Sequence, residues 1–83
     1  MFTSFNELEE IAKEVAKNVG LHCQSFGQNI SFSRDCQSSA YMAITYSPSL
    51  NVAYNIFGNL SERAIYNEEQ LETMLRHEIL ISG

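Results

Sequence analysis

The sequence predicts an α+β domain: an antiparallel sheet of three to five strands with two helices packed on one face, in the order α-β-β-β-β-α. Three observations lead there. Apolar residues recur with helical spacing at both ends of the chain. Alternation with period two runs between them. The 83 residues, 45% hydrophobic and 18% charged, suffice for one core spanning residues 1–83 and leave no room for a second domain.

The first helix is read from Phe5, Leu8, Ile11, Ala12, Val15, Ala16 and Val19, which share one face at i, i+3, i+4, i+7 spacing. Ser4 and Glu7 stand at capping-box spacing, and Gly20 supplies a left-handed stop, so the helix covers residues 5–19. Glu9, Glu10, Lys13, Glu14 and Lys17 form its outer face.

Residues 21–26, 29–34, 39–47 and 50–57 read as strands, with turns at Gly27-Gln28-Asn29 and Pro48-Ser49 short enough to force antiparallel neighbours and a meander. Alternation places Ile30 and Phe32 inward on the second strand. On the fourth it places Leu50, Val52, Tyr54 and Ile56 inward, opposite Asn51, Ala53 and Asn55. The face left open is then expected to display Ser31, Ser33, Tyr41, Ala43, Thr45, Asn51, Ala53 and Asn55. Residues 58–66 fit either a loop or a short fifth strand.

A second helix covers residues 68–80. Asn67 is its N-cap, Gln70 the reciprocal residue, and Tyr66 is placed to staple onto Leu71. Leu71, Met74, Leu75 and Ile79 make its inward stripe, with Glu68, Glu69, Glu72 and Arg76 outward or at the margin.

Ten acidic residues against five basic ones give a net charge of −5, and Lys13, Lys17, Arg34, Arg63 and Arg76 are scattered along the chain. Nucleic-acid and anionic-membrane binding draw on clustered Lys and Arg, so this balance argues against direct contact with either. The first residues lack the basic start and apolar run of a signal peptide, and no stretch has transmembrane length. The expected location is the cytoplasm, where Cys23 and Cys36 remain free thiols.

Metal-ligand types occur at His22, Cys23, Cys36 and His77, but without the paired spacing of a dedicated site; consecutive His22 and Cys23 point to opposite faces of a strand. No metal and no cofactor are expected. A thiol nucleophile would be Cys36, in the polar loop 34–39, with His22 or His77 as base. Nothing accompanies it in the way of a nucleophile turn, a phosphate cradle or a spaced carboxylate pair, so no catalytic residue is assigned and the chain is read as a binding protein and not an enzyme.

Acid is concentrated on the helices, at Glu7, Glu9, Glu10 and Glu14 and at Glu68, Glu69, Glu72 and Glu78. Helix dipoles and i,i+4 pairs such as Glu72 with Arg76 account for part of this, whereas Glu10 with Glu14 and Glu68 with Glu72 repel. Clustering beyond local need suits a protein partner with a basic surface. Glu68, Glu69, Glu72 and Asp35 are the expected contacts, with Tyr41 as the anchor. An uncovered edge strand would also allow pairing with a second copy, giving a homodimer.

In layout the chain resembles the double-stranded RNA-binding domain, but where that family has a basic start to its second helix this sequence reads Asn67-Glu68-Glu69-Gln70. In size, acidity and lack of motif it is similar to the small phage-encoded anti-CRISPR-type inhibitor proteins. That resemblance covers the character of the whole chain and no motif, and it carries over no functional residue. It implies an inhibitor that occupies the nucleic-acid-binding surface of a host defence nuclease complex, with carboxylates standing in for phosphates. An immunity or antitoxin-like protein or a subunit of a larger complex is the first alternative, and a small Cys/His enzyme the second.

Overall fold

The Ser4 hydroxyl accepts the Glu7 N–H at 3.2 Å, and Gly20, in the left-handed region at φ 77, donates its N–H to the last carbonyls of the helix, so α1 (Phe5–Val19) has the bounds its caps predict. The reciprocal contact of the capping box falls one residue further back than expected: the Glu7 carboxylate takes the Thr3 hydroxyl at 2.7 Å. The same shift occurs at α2 (Glu68–Ser82). Asn67 Oδ1 accepts the Gln70 N–H at 2.9 Å, while Gln70 Oε1 accepts the Tyr66 N–H at 2.7 Å. This computed structural model describes residues 2–82.

Between the helices lie β1 (His22–Phe26), β2 (Asn29–Ser33), β3 (Ala40–Ser47), β4 (Val52–Phe57) and β5 (Ala64–Ile65). They form one antiparallel sheet in the order β1-β2-β3-β4-β5, a full meander. The fold is α+β as predicted, and the stretch open to two readings supplies the fifth strand. Gly27 at φ 60 makes the two-residue turn from β1 to β2.

Both helices cover one face and pack on each other, α1 over β1 and β2 and α2 over β3. Ile30, Phe32, Met42, Ile44 and Tyr46 meet Leu8, Ala12, Val15 and Ala16 of α1 and Leu71, Met74 and Leu75 of α2. Phe2, ahead of the first cap, is also in this core: its N–H donates to the Asn51 carbonyl at 3.0 Å, and its own carbonyl accepts the Tyr46 hydroxyl at 3.3 Å.

The expected alternation of β4 is overturned. Ala53 and Asn55 face the helices and are fully buried, whereas of the four residues expected inward only Val52 is buried and Leu50 and Ile56 are exposed. Ala53 lies across from Tyr46 on one side and Ile65 on the other, and a small side chain is what fits between two large ones. A register shift then pairs Ile44 with Asn55 but Ala43 with Phe57, so Ile56 is an unpaired extra residue turned out of the core. The open face keeps Ser31, Tyr41, Ala43 and Thr45 as half-exposed members, loses Ser33, Ala53 and Asn55 to burial, and has Asn51 displaced into the turn before β4. In exchange it gains Tyr54 and the bulge.

Candidate functional site

Glu68, Glu69 and Glu72 come together because α2 begins at Asn67: capping places two carboxylates in the first turn, where the unpaired N–H groups and the helix dipole stabilise negative charge. With Asn67, Thr73 and Arg76 they line one open depression on the outer side of the helix. Glu68 and Glu69 are exposed. Glu72 is ion-paired with Arg76 at 2.9 Å, the i,i+4 contact its spacing predicts. Glu69 also borders a second groove, which runs between Leu60, Arg63 and Ala64 on one side and Thr73, Met74 and His77 of α2 on the other. Three carboxylates against one paired guanidinium leave the start of α2 negative.

Asp35 and Tyr41 are elsewhere. Asp35 lies in the β2–β3 loop, and its Oδ1 accepts the N–H of Gln37 at 2.9 Å and the N–H and hydroxyl of Ser38 at 2.8 and 2.9 Å. The Gln37 N–H, the Ser38 groups and nearby Arg34 hold its carboxyl below the ordinary carboxylate range. Its charge serves the loop first. Tyr41 stands on the sheet face that carries no helix, and its hydroxyl accepts a hydrogen bond from the Arg34 guanidinium at 3.3 Å. The β3 end that holds it borders Gly58 and Glu78, ten residues and about 15 Å along α2 from Glu68. The five residues therefore form two surfaces: an acidic one at the start of α2, and a charge-balanced corner of Arg34, Asp35 and Tyr41 at the opposite end of the sheet.

The thiols do not share a site. Cys23 faces α1, and burial pushes its thiol up to about 11 against the opposing pull of Lys13, so it stays protonated at neutral pH. Cys36 is exposed in the β2–β3 loop. Among the described residues no three His, Cys, Asp or Glu side chains gather closely enough to hold a metal ion, and no helix is long and apolar enough to cross a membrane.

One acidic residue counted in the α2 cluster is in the core. Glu78 is fully buried, and its carboxylate accepts the Asn59 N–H at 2.6 Å and the Asn59 Nδ2 at 2.9 Å. Leu71, Met74, Leu75 and Glu78 stand at i, i+3, i+4 and i+7, so the helical period marked the position as inward even though its charge did not. Asn55 is the second buried polar residue here: Oδ1 accepts the Phe57 N–H at 3.2 Å across the bulge, and Nδ2 has no partner.

Comparison of the chain with protein-family models, with curated proteins and with solved structures finds no match.

Proposed function

We propose that this chain is a small protein-binding inhibitor of the anti-CRISPR type, which docks the acidic start of α2 on a basic, nucleic-acid-binding surface of a host defence nuclease complex and blocks it by occupancy. The observation that carries this reading is the exposed Glu68–Glu69 pair projecting from a helix N-terminus, with Glu72, ion-paired to Arg76, beside it. Carboxylates on a rigid helix present negative charge at fixed spacing, as a phosphate backbone does, and a basic groove built for phosphates attracts them at long range. The net charge of −5 adds to the same field. Asp35 and Tyr41 belong to a separate surface and are secondary contacts if the partner wraps around the sheet end.

The test is displacement of a labelled DNA target from a panel of purified RNA-guided nuclease complexes, incubated first with this chain. Loss of DNA binding that weakens as salt is raised supports the proposal. DNA binding unchanged across the panel, or inhibition indifferent to salt, contradicts it.

A further inference from the structure

The two edges of the sheet differ in how they are guarded. β5 offers two residues, flanked by the charged Glu62 and Arg63, and so short an edge templates little. β1 is five residues long, His22-Cys23-Gln24-Ser25-Phe26, with no proline, no lysine, no acidic residue and no bulge in its pairing with β2. Among the described residues, none of the main-chain hydrogen bonds outside the helices and the sheet involves residues 22–26.

The turn determines which of its groups are free. Phe26 and Asn29 close a two-residue hairpin whose first turn residue is Gly27 at φ 60, so they form a hydrogen-bonded pair. Alternation makes Gln24 with Ser31 and His22 with Ser33 hydrogen-bonded as well. The N–H and C=O groups of Cys23 and Ser25 therefore point away from the sheet.

We propose that β1 pairs antiparallel with β1 of a second copy about a two-fold axis at Gln24, joining two five-stranded sheets into one of ten strands. In this register Cys23 of one copy lies opposite Ser25 of the other, and both present outward N–H and C=O groups, so the seam closes with four main-chain hydrogen bonds. Gln24 faces its own copy, and His22 faces Phe26, whose ring is 56% exposed in the single chain. The helix side of the seam is complementary in charge. Glu9 accepts the Ser25 hydroxyl at 2.6 Å, and Lys13, one turn along α1, lies close enough to Cys23 to act on its thiol more strongly than Glu9 does. Setting Ser25 of one copy against Cys23 of the other brings Glu9 against Lys13, twice by symmetry. The seam carries no net charge, which lets two chains of charge −5 meet there, and it leaves α2, over β3, uncovered.

Sedimentation equilibrium from about 1 µM to about 1 mM tests this. The wild-type chain is expected to pass from monomer to dimer within that range. Gln24→Glu sets a carboxylate against its own copy and should weaken the dimer at least about tenfold with the far-UV circular dichroism unchanged. Glu9→Lys and Lys13→Glu should each weaken it, since each turns both attractive pairs into repulsive ones. An equimolar mixture of the two variants should recover a heterodimer, because the wholly basic pair of one chain then faces the wholly acidic pair of the other. A wild-type monomer throughout the range overturns the proposal. So does a dimer indifferent to Gln24→Glu, or a mixture that associates no better than its separate components.

Discussion

The Glu78 carboxylate accepts two hydrogen bonds from Asn59, one from the main-chain N–H at 2.6 Å and one from the side-chain Nδ2 at 2.9 Å, and so ties the last turns of α2 to the loop that follows β4. Gly58 makes the approach possible. It adopts φ 131, and a Cβ there would collide with a Glu78 carboxylate oxygen. Gly58→Ala is expected to cost about 3 kcal/mol in urea denaturation. Glu78→Ala removes an acceptor from two donors and costs about 2 kcal/mol. Because the added methyl clashes with the group that the second substitution removes, the double variant should fall short of the sum by roughly 1 kcal/mol, and simple additivity would contradict the clasp.

Phe2 supplies a test of the N-terminal segment. Phe2→Ala empties a site that is 1% exposed and should destabilise the domain by about 3 kcal/mol. Tyr46→Phe, which removes only the hydroxyl bonded to the Phe2 carbonyl and Asn51 Oδ1, should cost about 1 kcal/mol. A Phe2→Ala variant as stable as the wild type would mean that the segment does not pack in solution.

The two thiols should behave differently. At pH 8 a disulfide reagent is expected to modify Cys36 promptly and Cys23 at least about tenfold more slowly, the second thiol appearing on denaturation. Burial raises the Cys23 thiol from 9.0 in its ordinary state to about 11 in the folded one. A raised folded value means that its contribution to stability is whole below about 9 and is lost as pH rises to about 11, because the unfolded chain releases the proton first. Cys23→Ala should therefore flatten the fall in stability across that window. An unchanged slope would contradict the assignment.

Much of the fold was legible because local signals agreed with one another. Helical spacing and caps at Ser4, Gly20 and Asn67 defined both helices, and the turn at Gly27 defined the first hairpin. What was not legible depended on neighbours distant in sequence. Hydrophobicity alone turns Tyr54 and Ile56 inward, but the space between Tyr46 and Ile65 admits only Ala53, and the bulge ejects Ile56. Phe2 lies outside any periodic segment, so nothing local announces its burial. Glu78 sat on the inward stripe while its charge suggested water, and only the Gly58–Asn59 loop explains its place. Of the candidate contacts, Glu68, Glu69 and Glu72 were neighbours by helical spacing alone, whereas the separation of Asp35 and Tyr41 from them required the topology.

The acidic start of α2 should be dispensable for folding. Glu68→Lys with Glu69→Lys sets positive charge against the helix dipole and should lower stability by about 1 kcal/mol, leaving the circular dichroism spectrum unchanged. Unfolding of this variant would assign the pair to the fold and not to a partner.

The same variant gives the most direct test of the proposed docking surface. The measurement is the inhibition constant of the wild type and of Glu68→Lys/Glu69→Lys against the same nuclease complex, read by displacement of its labelled DNA target. The reversal is predicted to weaken inhibition at least about thirtyfold at low salt, with the difference shrinking as salt is raised. Equal constants for the two folded proteins would show that the α2 N-terminus is not the surface that binds.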